Sequence, residues 1–159
     1  LLVFFWGVLF QAGILEGRLI DRVVASINDD AITLREFRAY YDSVRVVTPD
    51  ITEGEAIQTL INRRLILHEA ERMNLEGRTE EEKIQRYIGI RIRSFVKIRQ
   101  DEIREFYNEH AGRFRGLSLE DVSDKIERLL IEREVNRRLR EHLNQLRQKT
   151  YIKVNLMSP

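Results

Sequence analysis

Asp21–Phe37, DRVVASINDDAITLREF, holds a strand, a tight polar turn and a capped helix start within seventeen residues. Val23, Ala25 and Ile27 alternate with Val24 and Ser26, the period of a half-buried strand. Asn28-Asp29-Asp30 brings side chains that tolerate turn geometry, and Ala31-Ile32 makes a short return. Thr33 and Glu36 stand at the spacing of a capping box, in which the hydroxyl takes an orphan backbone N–H and the carboxylate reaches back to the cap. A helix is therefore expected from Leu34.

The same signature recurs downstream. Thr52 with Glu55 opens a run in which Ile57, Leu60, Ile61, Leu65 and Leu67 to Ala70 keep helical spacing, ending near Asn74. Thr79 with Glu82 opens IQRYIGIRIRSFVKI, where Ile84, Tyr87, Ile88, Ile90, Ile92, Phe95, Val96 and Ile98 cover more than one face. A helix that apolar is either sandwiched or presents a surface to a partner. Ile103, Phe106 and Tyr107 give a short amphipathic helix ending near Gly112. Ser118 with Asp121 caps a final run of about thirty residues from Leu119, long enough to act as a spine. Its stripe is Val122, Ile126, Leu129, Leu130, Val135, Leu139, Leu143 and Leu146. Tyr151 to Leu156 reads as a closing strand that can pair with the opening strand near Val23, a pairing that needs helix packing to support it.

At 159 residues the chain suits one domain. It has no cysteine, which excludes disulfides and thiol catalysis. The formal net charge is +1, but its distribution is uneven. Residues 29–82 carry seven positive and thirteen negative charges, residues 83–153 eighteen and eleven. Complementary packing of two helical layers, with solvated faces, accounts for that asymmetry. The first fifteen residues, LLVFFWGVLFQAGIL, are uncharged, short for a bilayer span and suited to the apolar region of a secretory signal. We expect residues 1–15 to be the remnant of a signal peptide whose first residues are missing, cleaved near Ala12 or Gly13. An uncleaved inner-membrane anchor is the alternative.

The Asp21–Phe37 run resembles the opening of the SurA-like periplasmic chaperones, where an Asp-Arg-(Ile/Val)-Val-Ala strand runs into Asn and then Ile-Thr before a helix. The likeness continues through Ala56–Met73, AIQTLINRRLILHEAERM, and Asp101–Phe114, DEIREFYNEHAGRF. It closes over Leu117–Leu156, so that residues 18–156 are covered. In the isomerase members of the family a parvulin domain follows the phenylalanine matched by Phe114. Here only Arg115, Gly116, Leu117 and Ser118 lie between Phe114 and Leu119. The resemblance thus implies the N-terminal chaperone module, akin to the trigger-factor C-terminal module, without the peptidyl-prolyl isomerase. The fold implied is mostly α, a multi-helix module with a small sheet formed by the N-terminal and C-terminal strands.

No constellation for catalysis emerges. His68, His110 and His142 fall on different helices without zinc-type spacing. Ser26, Ser43, Ser94, Ser118 and Ser123 lack a nucleophile-elbow context, and no Gly-rich loop could cradle phosphate. Glu80-Glu81-Glu82 suits a helix N-terminus, where the macrodipole accounts for it. Neither cofactor nor metal is expected. The basic aromatic stretch Arg86–Arg99 is the one argument for nucleic acid, with Tyr87 and Phe95 for stacking; near-zero net charge and the export signal stand against it.

The function that the resemblance implies is ATP-independent holding of unfolded exported proteins in the periplasm, outer-membrane β-barrel precursors foremost, through an apolar cleft. Tyr40, Tyr41, Val44, Tyr87, Ile90 and Phe95 are the expected client contacts, since their helices carry surplus apolar groups. Val23, Ile27, Phe37, Leu60, Leu65, Ile126, Leu129 and Ile152 are expected scaffold. An isomerase-related activity and a structural homodimer exchanging its long helix or terminal strand are the alternatives.

Overall fold

The computed structural model describes residues 21–156; the expected signal segment lies outside them. Among the described residues, five α-helices and one three-stranded antiparallel sheet form the fold. The chain is thus mostly α with a small sheet made from its two ends. β1 (Val23–Ile27) and β2 (Asp30–Thr33) form a hairpin whose turn places Asn28 at φ 51°, a left-handed conformation that Asn tolerates better than other non-glycine residues. β3 (Ile152–Val154) pairs on the other side of β1, Ala25 opposite Val154 and Ile27 opposite Ile152. Asn28 fastens that pairing twice, since its N–H donates to the Tyr151 carbonyl at 2.8 Å and its Oδ1 accepts from the Tyr151 N–H at 3.0 Å.

The simple alternation expected of β1 fails at one end. Val23 faces Thr33 and Ala25 faces Ile32, so Val24 is an extra residue on that strand, a bulge. The bulge turns Val24 into the core and leaves Val23 exposed, which corrects Val23 as scaffold.

The helices begin where their caps predict. α1 (Leu34–Arg45), α2 (Glu53–Arg72), α3 (Glu80–Arg91) and α5 (Leu119–Gln148) each start with a Thr or Ser hydroxyl accepting from the third helical N–H. Only Thr52/Glu55 and Ser118/Asp121 are reciprocal boxes. Glu36 turns instead to Arg64, and Glu82 accepts from the Arg78 N–H at 2.8 Å, one residue short of the cap. α2 ends in a Schellman arrangement: Asn74 sits at φ 53°, its N–H donates to the Glu71 carbonyl at 2.9 Å, and the Leu75 N–H donates to the Ala70 carbonyl at 3.0 Å.

α3 is shorter than its apolar pattern suggests. Ile92 leaves helical geometry at φ −125°, ψ −63°, a single 3-10 turn spans Arg93–Phe95, and the chain then runs extended into α4 (Gln100–Glu109). The excess of faces in residues 84–98 is resolved by a change of conformation: Ile84, Tyr87 and Ile92 point inward, while Ile90 and Phe95 are left to solvent.

α5 ties the molecule together. Its C-terminal half, through Leu139, Leu143 and Leu146, packs on the sheet, α1, α2 and α3, around Ile27, Ile32, Phe37, Ile61 and Ile66. Its N-terminal half packs on α4 in a separate cluster around Ile103, Val122 and Ile126. Because Leu130 joins that cluster, Leu129 is turned outward and is half exposed, which corrects it too as scaffold. The Phe114–Leu119 junction is a tight turn, with Gly116 at φ 82°, the Leu117 N–H on the Phe114 carbonyl at 2.9 Å and the Tyr107 hydroxyl on the Leu117 carbonyl at 2.8 Å. A positive φ of that size is suited to glycine.

Candidate functional site

Several apolar side chains reach solvent, among them Tyr151, Val154 and Val23 on the small sheet, Leu117 and Met73, and two groups of them sit at helix ends. The first lies where α1 stops. Phe37 is buried and stacks on Tyr41 at 5.7 Å between ring centroids, one helical turn apart. The Tyr41 hydroxyl donates to the Ile51 carbonyl at 3.3 Å, and the Arg45 guanidinium lies over the Tyr41 ring at 5.5 Å. Tyr40, Tyr41 and Val44 are consequently half-buried, anchored inward and open on one side. Both the Val47 and Thr48 N–H groups donate to the Val44 carbonyl, and this turn throws Val46 and Val47 outward at 82% and 84% exposure. Sequence reasoning did not single out Val46 and Val47. The available signal was an apolar β-branched pair placed just before Thr48-Pro49, beyond the helix that could have buried it.

The second group surrounds the 3-10 turn after α3. Phe95 is 63% exposed and Ile90 45%. The turn is held rigidly, because Arg93 makes a bidentate pair with Glu132 at 2.7 and 3.0 Å and Arg138 Nη1 donates to the Phe95 carbonyl at 3.0 Å. Leu129, one turn before Glu132 on α5, adds a further exposed side chain. Tyr87, expected at this surface, is 1% exposed. It points between α3 and α5, where its hydroxyl lies 2.7 Å from His142 Nε2, and it leaves the candidate set. The structure thus leaves Ile90 and Phe95 exposed around the end of α3 and Tyr40, Tyr41 and Val44 half-buried on α1, two regions rather than one site.

Hollows in the described surface are rimmed by charged and polar side chains. One, of about 510 Å³, runs between Lys97–Glu102 and the middle of α5. Glu134 lies on its wall, where hydrogen bonds from Arg137 and then Arg138 hold its carboxyl down to about 2. Another, of about 560 Å³, lies beside His68 and Asn28. There Asp30 accepts from the Ala31 N–H at 2.8 Å and stands 3.0 Å from His68 Nε2 and 3.4 Å from Arg64. Its two side-chain partners, His68 and Arg64, tie the hairpin to α2, so the cluster is a structural clasp. His110 is likewise engaged, stacked on Phe106 at 4.1 Å with Nδ1 2.9 Å from the Phe106 carbonyl. Among the described residues no group of three or more His, Cys, Asp or Glu could hold a metal ion, and no helix is long and apolar enough to cross a membrane.

No protein-family model matches the sequence, and no curated protein matches it significantly.

Proposed function

We propose that this chain is a holding module for non-native polypeptides, of the SurA-like kind and without the isomerase. Its clients are unfolded exported proteins, outer-membrane β-barrel precursors foremost, held in the periplasm without nucleotide. The observation that carries the reading is the pair of solvent-facing apolar patches, Val46-Val47 beside Tyr40 and Val44, and Phe95 beside Ile90. Both are mounted on helix ends whose inward faces already complete the core. Apolar groups presented this way lower the free energy of an unfolded chain that covers them, while each patch is small enough to let go. Contact is made on open patches rather than in a deep cleft, because charged and polar side chains rim the hollows. Ion pairs around the second patch, such as Arg93–Glu132, keep the loaded complex soluble.

The test is dilution of a urea-unfolded outer-membrane β-barrel into buffer with and without the purified chain. Suppression of light scattering at near-stoichiometric ratio, without ATP and weakened by Phe95→Ser and by Val46→Ser with Val47→Ser, supports the reading. No effect of the unaltered chain at large excess overturns it.

A further inference from the structure

The groove between Lys97–Glu102 and α5 carries an unbalanced charge beside the Phe95 patch. Lys97, Arg133, Arg137, Arg138 and Arg140 line it against two carboxylates, Glu102 and Glu134. Both carboxylates are already matched. Glu134 takes Arg137 and Arg138 at 2.7 Å each, and Glu102 stands 3.4 Å from Arg99. Lys97, Arg133 and Arg140 have no ion-pair partner among the described residues, so three positive charges converge on one hollow without compensation. Ile98 and Leu130 also line it, and both pack partly buried against the α4–α5 core. The groove adjoins the backbone that carries the second apolar patch. Lys97 lies two residues beyond Phe95, and Arg138 holds the Phe95 carbonyl while lining the groove.

We propose that this groove receives acidic side chains of the bound polypeptide, so that preferred segments carry Asp or Glu next to an aromatic or aliphatic residue. The inference rests on the polypeptide-holding reading above and names its segment class. The aromatic residue lies on Phe95 and Ile90, and the neighbouring carboxylates meet Lys97, Arg133 and Arg140. The Glu134 bridge keeps Arg137 and Arg138 fixed, so the wall of the groove loses little side-chain freedom on binding. Opposite charge across a rim steers encounter and selects among clients more than it deepens affinity. A nucleic acid is a poorer occupant: a single-stranded track needs aromatic platforms along the cations, and Tyr87 is buried.

The experiment uses the full chain and three labelled peptides with one aromatic-aliphatic pattern, flanked by Glu, by Ser or by Lys, with binding followed by fluorescence anisotropy at low and high salt. The Glu-flanked peptide is expected to bind about tenfold more tightly than the Ser-flanked one at low salt, as several exposed ion pairs together allow. The Lys-flanked peptide should bind most weakly. High salt, and the combined substitution Lys97→Ser, Arg133→Ser and Arg140→Ser, should each erase the difference. Equal binding of all three peptides, or a charge preference that survives in the substituted chain, overturns the inference. Tighter binding of an oligonucleotide or of anionic lipid vesicles, dependent on the same three residues, overturns it in favour of another anion. Aggregation suppression by the unaltered chain separates the two failures. If suppression is present while the peptides bind equally, only the groove assignment falls; if suppression is absent, both fall.

Discussion

The Tyr87 hydroxyl lies 2.7 Å from Nε2 of His142, and this contact joins α3 to α5 across a cluster built from Ile66, Leu67, Ala70 and Ile84. The two rings are also stacked, with centroids 5.7 Å apart. Burial pushes the His142 imidazole below its ordinary value, and the charges of Arg91 on α3 and Lys149 beyond α5 push the same way. Glu69 on α2 opposes them. Tyr87 is pushed up, first by burial and then by Glu69, so both partners are held neutral at pH 7.

That geometry gives the stability curve a histidine contribution near neutral pH. His142 binds its proton less readily folded than unfolded, so stability is full above the ordinary histidine value of 6.5 and falls as pH drops below it, levelling once the folded group is itself protonated. Thermal unfolding followed between pH 8 and about 5 should show a declining melting temperature that His142→Gln flattens. An unchanged slope in that variant would show that the imidazole is not the titrating group.

Tyr87 and Phe95 should part company under substitution. Tyr87→Phe removes one hydroxyl contact and should cost about 1 kcal/mol, and Tyr87→Ala about 3–5 kcal/mol by emptying a core position. Phe95→Ser should shift stability by no more than about 0.5 kcal/mol while weakening aggregation suppression. Urea unfolding, read beside the scattering assay, distinguishes the two residues; equal destabilisation would contradict their placement.

Asn28 has two duties that different substitutions separate. Asn28→Gly keeps the left-handed turn but loses the Oδ1 bond to the Tyr151 N–H, and should cost about 1 kcal/mol. Asn28→Ala adds the penalty of a left-handed alanine and should cost about 2 kcal/mol. In both, hydrogen exchange at the Tyr151 amide should accelerate more than at amides of α2.

Thr52 and Ser118 hold the two reciprocal boxes, and changing either to Ala should remove about 1 kcal/mol of stability. At Thr33, where Glu36 is committed to Arg64, the hydroxyl accepts from the Glu36 N–H and bonds the Asp21 carboxylate instead, so Thr33→Ala is expected to cost about as much, about 1 kcal/mol. Denaturant midpoints of the three variants, with unchanged slopes, check that expectation.

Much of the frame was legible because the signals are local. A cap hydroxyl and its third N–H are three residues apart, so Thr33, Thr52, Thr79 and Ser118 mark helix starts without knowledge of the fold. The candidate patches were legible only in part. Phe95 and Ile90 were picked out by an apolar surplus, but so was Tyr87. Val46 and Val47 were passed over because no periodic pattern contained them.

The sequence by itself determined where helices begin, that α5 runs uninterrupted for thirty residues, and that the two chain ends pair as strands. These follow from neighbouring side chains competing for backbone groups and from apolar spacing along one segment. Only the tertiary structure decided which apolar residues are core. The bulge at Val24 put Val23 outside, α4 claimed the Leu130 face of α5 and left Leu129 exposed, packing between α2 and α5 took Tyr87 inward, and the break at Ile92 left Phe95 outside. Burial depends on which elements arrive opposite a residue, and that is a property of packing across the chain rather than of any stretch within it.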